Sequence, residues 1–232
     1  MNNSYFQQQK KFVRQLEQSF ASGKSASTVV DIQRDYANDD QICLTSVVFI
    51  PDEVSRMIAT DIIQRLNRIE PWQYFFPSES MHITIKNIRT VSKPPLFSQT
   101  DIEKANELFA TIVSKFPVFT FSVEDVVVFP TSISVMAYTN ETLQKLVLAL
   151  DEGLKAIGIP DDKKYISNSI FWGNKTICRF TQPPQAELLK EVEKMRKTRI
   201  GTFNVETVSL ITCNAVCHSS SRDIIGEYKL IN

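Results

Sequence analysis

Two short segments of the sequence each combine a polar side chain with a threonine two residues later. They are His82-Ile-Thr84 and Asn174-Lys-Thr176. Each lies in an apolar run typical of a β-strand, in which residues two apart face the same side. Such a pair suits a phosphodiester, because threonine hydroxyls donate hydrogen bonds to the non-bridging phosphate oxygens. A neighbouring imidazole can act as general acid or base on the attacking or leaving oxygen, without a metal.

The elements around these two segments repeat along the chain. Both halves read as strand, helix, strand, helix and strand, which indicates an internal duplication. We therefore predict that residues 41–232 form one α+β domain of two pseudo-symmetric lobes, approximately 41–130 and 131–232. Each lobe would be a mostly antiparallel sheet with helices on the outside. The duplication aligns the two segments, so a central groove would bring their four polar side chains together.

Turn and capping residues mark the expected boundaries of these elements. Pro51 and Asp52 open a helix, Thr100 and Glu103 match a capping box, and Asn140 caps a helix that Gly158 closes. Two prolines precede the last helix. The expected strands span residues 43–50, 81–90, 116–129, 132–138, 174–180, 203–213 and 227–231.

Residues 1–40 differ from the rest and predict an N-terminal helical arm. Its partly apolar face contains Phe6, Phe12, Val13, Leu16 and Phe20. Gly23-Lys24-Ser25 resembles a phosphate-binding loop, but the position of the required first glycine holds Gln18 and no strand precedes it. We therefore reject a phosphate-binding loop there.

Composition limits the classes of function. The 232 residues include 26 basic and 26 acidic side chains, 43% hydrophobic and 22% charged residues. This is ordinary globular usage, and zero net charge argues against binding to long duplex nucleic acid or to a membrane surface. No run of 18 apolar residues and no signal-like N terminus is present, so we expect a cytoplasmic protein with no membrane partner.

The four cysteines fall within or beside apolar, strand-like runs. We expect them to be buried thiols and not disulfides, since a cytoplasmic protein is kept reduced. Cys213 and Cys217, followed by His218, offer a zinc cluster as an alternative. Their spacing is not the usual one and no second pair follows, so no metal site is predicted.

From about residue 41 to its C terminus the chain resembles the two-histidine (2H) phosphoesterase superfamily, which includes 2′-5′ RNA ligase-like and cyclic phosphodiesterase-like proteins. Met81–Ile88 resembles the first His-x-Thr motif of that family. Gly173–Phe180 resembles the second in frame, including an arginine that often follows, but asparagine replaces histidine. The two motifs are 92 residues apart, as is typical of the family.

The resemblance implies a role for each motif residue. His82 would be the remaining general acid or base, Thr84 and Thr176 would hold the phosphate, and Asn174 would occupy the place of the second histidine. The expected ligand is a nucleotide or an RNA terminus that carries a 2′,3′-cyclic or 2′-5′ phosphodiester. No cofactor is implied.

Other residues have two interpretations each. Lys86 could contact the phosphate or be a solvated strand-end lysine, and Trp172 could stack on a base or belong to the core and rim. His82 itself could be a structural histidine. His218 could replace the missing imidazole, although it lies in a loop about 40 residues after Asn174.

Two hypotheses about function follow. The first is an enzyme that hydrolyses 2′,3′-cyclic or 2′-5′ phosphodiesters by metal-independent acid–base chemistry. The second is a catalytically inactive relative that serves as a nucleotide- or RNA-end-binding module or as a protein-interaction domain. Asparagine donates a hydrogen bond but does not exchange a proton near neutral pH, so the residue at position 174 separates the two hypotheses.

Overall fold

Two antiparallel sheets form the core of the computed structural model, which describes residues 4–21, 31–163, 165 and 167–231. The strands are β1 (Ile42–Phe49), β2 (Tyr74–Phe75), β3 (His82–Ser92), β4 (Phe119–Phe129), β5 (Ser132–Tyr138), β6 (Gly173–Arg179), β7 (Arg199–Val205), β8 (Thr207–Cys213) and β9 (Asp223–Lys229). The first sheet has the order β3-β1-β8-β9, and the second has the order β2-β6-β5-β4-β7. Neighbouring strands in both sheets run antiparallel. The expected α+β architecture with two lobes is therefore confirmed.

Each sheet contains strands from both halves of the chain, which the sequence did not predict. The series β3-β1-β8 in one sheet corresponds to β6-β5-β4 in the other. The first half contributes β1 and β3 to the first sheet and β2 and β4 to the second. The second half contributes β5, β6 and β7 to the second sheet and β8 and β9 to the first. The expected boundary near residue 130 therefore does not separate the sheets, because β4 lies in the second sheet and β8 and β9 lie in the first. This exchange gives β1 and β5 a hydrogen-bonded neighbour on both sides.

The helices are α1 (Tyr5–Ala21), α2 (Asp52–Ile58), α3 (Gln64–Ile69), α4 (Gln99–Val113), α5 (Glu141–Ala156) and α6 (Ala186–Met195). A π-helical turn, Ala59–Ile63, joins α2 to α3. Asn140 caps α5 by accepting a hydrogen bond from the Thr142 amide at 3.0 Å, as expected. The capping box of α4 lies two residues before its expected place and is formed by Ser98 and Asp101. It forms there because each side chain accepts a hydrogen bond from the backbone amide of the other.

Helix α1 packs against the second sheet through aromatic contacts. The ring centroids of Phe6 and Tyr138 are 5.6 Å apart, and those of Phe20 and Phe129 are 5.3 Å apart. The Lys10 ammonium pairs with the Glu124 carboxylate at 2.6 Å. The helical arm is therefore confirmed for Tyr5–Ala21, whereas the Gly23-Lys24-Ser25 segment lies outside the described residues. No helix in the described ranges is both long and apolar enough to cross a bilayer.

The two motif strands, β3 and β6, approach each other closely at Gly173. A Cβ atom at Gly173 would lie 2.8 Å from the Ala137 Cβ, 3.0 Å from the Phe121 ring and 3.1 Å from Ile83 Cδ1. Ile83 belongs to β3, whereas the other two residues belong to the second sheet. Glycine thus permits an approach that any side chain would prevent, and this approach positions the two motifs.

We expect Gly173→Ala to lower the free energy of unfolding by about 1–3 kcal/mol, because the added methyl group overpacks a filled region. Urea unfolding of the purified protein measures this change. Gly201→Ala in β7 is the matched control, since its Cβ would meet nothing nearer than 3.8 Å. The control should stay within about 0.5 kcal/mol of the native protein. Equal stability of the two variants would contradict the close approach of β3 and β6.

Candidate functional site

The four polar residues of the two motifs line one cavity of about 520 Å³. His82 and Thr84 enter it from β3, and Asn174 and Thr176 enter it from β6. Asn174 is exposed, whereas the other three are partly buried. Each sheet therefore contributes one polar group and one hydroxyl to the wall of the same cavity.

A backbone carbonyl fixes the orientation of the His82 ring. The Nδ1 atom of His82 lies 2.8 Å from the carbonyl oxygen of Ser80. A carbonyl oxygen only accepts hydrogen bonds, so Nδ1 carries the proton and donates it. Nε2 is then the nitrogen that takes up or releases a proton. This is the tautomer that a general base or acid needs when its reactive nitrogen is Nε2.

The two threonines and the asparagine differ in their contacts. The Ser134 hydroxyl donates to Thr176 Oγ1 at 3.4 Å. Within the described ranges, the Thr84 hydroxyl and the Asn174 amide have no hydrogen-bond partner from the protein. Polar groups at a cavity wall without protein partners are open to a ligand or to water.

Three basic side chains line the same cavity: Lys163, Lys175 and Arg179. Asp31 is the acidic residue of the described lining, and no ion pair between described residues involves any of the three bases. Lys175 is 1% exposed, and its Nζ donates to the Ser80 carbonyl at 3.0 Å. A chain with no net charge therefore concentrates basic side chains without carboxylate partners at this cavity.

Burial shifts the pKa values of these basic groups. It lowers the pKa of Lys175 well below the usual range of a lysine, and the positive charge of Arg179 contributes to that lowering. Burial and the charge of Arg179 also lower the pKa of Lys163. Burial lowers the pKa of Arg179 itself. An anion in the cavity would offset the cost of burying these charges.

Several buried hydrogen-bond donors of the cavity lining have no partner among the described residues. They are Asn87 Nδ2, Trp172 Nε1 and Arg179 Nε. A buried donor without an acceptor costs about 1–3 kcal/mol. A ligand rich in acceptor oxygens would satisfy such donors.

Lys86 lies in a different environment from the one expected for a phosphate contact. A β-bulge between Thr84 and Lys86 interrupts the alternation that would place both on one face. Lys86 is 2% exposed and forms ion pairs with Asp151, at 2.7 Å, and with Asp161. It is not among the residues that line the cavity.

Of the two remaining candidates, Trp172 belongs to the cavity wall and His218 does not. Trp172 lines the cavity, and its ring packs against Phe12 of α1 with the centroids 5.5 Å apart. His218 is not part of the lining. Its Nδ1 accepts a hydrogen bond from the Ser220 amide at 3.3 Å, so the ring caps a short 3₁₀ turn.

The structure adds residues that the sequence did not single out, among them Lys175 and Cys217. Lys175 occupies the middle position of the second motif, where strict alternation would turn it away from Asn174 and Thr176. Residues 174–176 pair with β5 in regular register, so the buried Lys175 side chain lies on the other face of β6, and its Nζ donates to the Ser80 carbonyl. Cys217 lies near the first motif, because a turn of the chain with a φ of 52° lets its carbonyl accept a hydrogen bond from the hydroxyl of Ser80, the residue that orients His82. No pattern in the sequence indicated this contact.

The described residues include no group of three or more histidine, cysteine, aspartate or glutamate side chains placed to hold a metal ion. The zinc cluster considered for Cys213 and Cys217 is therefore not formed by the described residues. All four cysteines are buried free thiols, as expected.

Comparison with known proteins found several similar solved structures. No protein-family model and no curated protein sequence matches the chain. The structure of Escherichia coli LigT complexed with 3′-AMP matches with a TM-score of 0.60 and 15% identity, covering 83% of this chain and 100% of LigT. TT0787 of Thermus thermophilus matches with a TM-score of 0.58 and 16% identity, covering 81% of this chain and 97% of that protein.

A third similar structure is ATU0111 of Agrobacterium tumefaciens, a conserved protein of unknown function. It matches with a TM-score of 0.53 and 13% identity, over 90% of this chain and 94% of that protein. Similarity at this level of identity shows the fold. The resemblance to the 2H phosphoesterases, drawn from the two motifs, is thus confirmed for the fold. The chain has the two-lobed α+β fold of LigT and its structural neighbours.

Proposed function

We propose that the cavity binds the phosphate of a nucleotide or of an RNA end, with 2′,3′-cyclic and 2′-5′ phosphodiesters as the substrate class. One observation carries this proposal: the polar residues of two equivalent motifs, on two equivalent strands, line the same cavity. A site assembled from two copies of one element suits a tetrahedral phosphate, which presents oxygens in two directions.

The basic lining of the cavity supports an anionic ligand. Lys163, Lys175 and Arg179 have no carboxylate partner in the described structure, and three buried N–H donors lack acceptors. Phosphate oxygens supply both negative charge and acceptors. Solved structures of LigT, which shares the fold, are complexed with 3′-AMP and with ATP. Nucleotide binding in the same fold supports a nucleotide ligand for this chain.

Each motif residue has a distinct role in the proposed reaction. The Thr84 and Thr176 hydroxyls donate to the non-bridging phosphate oxygens. Nε2 of His82 takes the proton of the attacking water or gives a proton to the leaving oxygen. Asn174 donates a hydrogen bond on the other side but exchanges no proton. Hydrolysis is therefore slow, because one proton transfer lacks its acid–base group.

A second candidate function is binding without turnover. Asn174 favours it, since the amide replaces one of the two groups that the family chemistry uses. Both candidates require the same phosphate contacts. They differ in whether a bound 2′,3′-cyclic nucleotide is converted to product.

We expect Thr84→Val to weaken binding of adenosine 2′,3′-cyclic phosphate by about tenfold or more, because one hydrogen bond to a charged oxygen is lost. Valine keeps the shape of threonine and its preference for strands. Isothermal titration calorimetry on the native protein and the variant measures the dissociation constants. Ligand-induced thermal stabilisation supplies a second measurement of binding.

Thr120→Val is the matched control, because Thr120 is an exposed strand threonine outside the cavity lining. It should bind the nucleotide as the native protein does. Equal affinities of the native protein and Thr84→Val, or no binding by either, would contradict the proposed site. Chromatography of the incubated nucleotide then separates the two candidate functions, since product forms only if the site is catalytic.

A further inference from the structure

The two motif strands share a register shift just after their threonines. In β3, one extra residue lies between Thr84 and the next residue that pairs with β1. In β6, one extra residue lies at the equivalent place after Thr176, in its pairing with β5. An extra residue reverses the alternation of side chains along a strand. The next side chain on the face of each threonine therefore comes three residues later and not two, at Asn87 in β3 and at Arg179 in β6.

The cavity lining agrees with the shifted alternation. Asn87 and Arg179 both line the cavity. Lys86 and Cys178, which follow the motif threonines by two residues, are buried and are absent from the described lining. The register shifts thus turn two residues at equivalent positions, Asn87 and Arg179, toward the same cavity from the two sheets.

The neighbouring strands extend this arrangement. Asn87 pairs with Thr45 of β1, and Arg179 pairs with Ser132 of β5. Thr45 and Ser132 also line the cavity. These four residues form a second tier of the cavity, next to the tier formed by the motif residues. Like the motif residues, they come from equivalent strands of the two sheets, so the second tier has the same twofold character as the first.

The second tier contains two buried hydrogen-bond donors that have no partner among the described residues, Asn87 Nδ2 and Arg179 Nε. Asn87 is only 8% exposed. Arg179 forms no ion pair with any described residue, and this includes Asp31, the acidic residue of the described lining. Buried donors in native proteins are nearly always satisfied. Two unsatisfied donors at equivalent positions of one cavity therefore indicate a ligand that supplies the acceptors.

The second tier is displaced along both strands from the motif threonines. Three residues of a β-strand span about 10 Å, which is the scale of a nucleoside and exceeds the size of one phosphate. A ligand that fills both tiers therefore presents a second acceptor group. A guanidinium opposite an amide donor favours an anion with several oxygens, and a phosphate is such a group. The cavity volume of about 520 Å³ is within the range of sites that hold small molecules.

We propose that Asn87 and Arg179 bind a second phosphate of the ligand, on the 5′ side of the nucleoside whose 2′,3′-cyclic phosphate lies at the motif threonines. This inference rests on the proposed function and narrows its substrate class to nucleosides phosphorylated on both sides. An RNA 3′ end meets the same requirement, since its last nucleoside carries a phosphodiester at O5′. Asn87 and Arg179 select such ligands, because a nucleoside 2′,3′-cyclic phosphate alone leaves their donors without acceptors.

Calorimetric titration of the native full chain with two nucleotides tests the proposal and needs no variant. The first nucleotide is adenosine 2′,3′-cyclic phosphate, and the second is the same compound with an added 5′-phosphate. We expect the second to bind at least about tenfold more tightly, because its extra phosphate accepts charge-assisted hydrogen bonds from the second tier. Equal dissociation constants for the two nucleotides would overturn the proposal.

Asn87→Leu separates a specific second site from a general attraction of charge. Leucine is close to asparagine in shape, and the variant keeps every basic side chain but loses the amide donor. The preference for the 5′-phosphate should fall to about threefold or less, whereas adenosine 2′,3′-cyclic phosphate should bind within about twofold of the native value. Without ligand the variant should be no less stable than the native protein, since it loses an unsatisfied donor. Asn204→Leu, at an exposed strand asparagine outside the described lining, is the matched control and should keep the full preference.

The outcomes distinguish this inference from the proposed function. Asn87→Leu with the native preference, or with an equal loss of affinity for both nucleotides, would overturn the second phosphate site. Adenosine 5′-phosphate is a third probe, which the native protein should bind and Asn87→Leu should bind at least about threefold more weakly. Binding of this probe without binding of adenosine 2′,3′-cyclic phosphate would contradict the site at the motif threonines and support the second site. Binding of the cyclic phosphate with no gain from the 5′-phosphate would contradict the second site alone.

Discussion

Asn174→His is expected to raise the rate of 2′,3′-cyclic phosphodiester hydrolysis by about 10²–10⁴ over the native protein, since a positioned acid–base group contributes that much. Asn174 lines the cavity with His82, and each lies at the equivalent position of its motif. An imidazole at position 174 could take the proton that the amide does not exchange. Attack and departure at phosphorus would then each have a proton donor or acceptor. Product formation followed by chromatography at saturating substrate measures the change.

Two controls show whether a gain arises from a pair of imidazoles. The double variant Asn174→His with His82→Ala should lose the gain, because one imidazole is again missing. Asn174→Gln keeps an amide and should leave the rate low. A histidine at position 174 that produces no increase, while the nucleotide still binds, would contradict the proposed roles. The phosphate-binding proposal would survive that result, because it rests on separate contacts.

Local patterns predicted most of the fold because they are set by neighbouring residues. The strand runs around His82 and Asn174 and the cap at Asn140 depend on a few residues each, and the structure confirms them. The α4 cap shifted by two residues, because Ser98 and Asp101 satisfy the same rule as the expected pair. Such competition between nearby caps cannot be resolved from the sequence pattern alone.

The exchange of strands between the sheets could not be predicted in this way. Periodicity shows that β4 and β8 are strands, but it does not show which neighbour each will pair with. β4 pairs with β5 through a tight hairpin turn, whereas β8 pairs with β1, whose Cys43 lies 170 residues before Cys213. The sequence therefore predicted two lobes correctly and placed their boundary where no boundary between sheets exists.

The candidate site shows the same division between local and long-range information. The motif spacing predicted a shared site, and the four motif residues do line one cavity. The contribution of Lys175 depends on its hydrogen bond to the Ser80 carbonyl, 95 residues earlier, and that of Cys217 depends on a left-handed turn far along the chain. Neither feature has a sequence signature, since both result from how the two sheets meet.

Lys86 is the site candidate whose environment changed most, and we expect Lys86→Met to lower the free energy of unfolding by about 3–5 kcal/mol. Its buried ammonium lies between Asp151 and Asp161 and 4.8 Å from the Tyr165 ring centroid. Methionine fills a similar volume but leaves two partly buried carboxylates without their shared cation. Denaturant unfolding at neutral pH measures the loss.

Lys155→Met is a control on the same carboxylate. Lys155 pairs with Asp151 at 2.6 Å, but its side chain is 61% exposed, so water screens the interaction. Removing it should cost no more than about 0.5 kcal/mol. A difference of several kcal/mol between the two variants would assign Lys86 to the framework that holds Asp151 and Asp161 against β3. If Lys86→Met instead kept its stability and lost nucleotide binding, the phosphate contact first considered for Lys86 would be the better account. The two roles predict opposite pairs of results, because a cation already held by two carboxylates has little charge left to offer a phosphate.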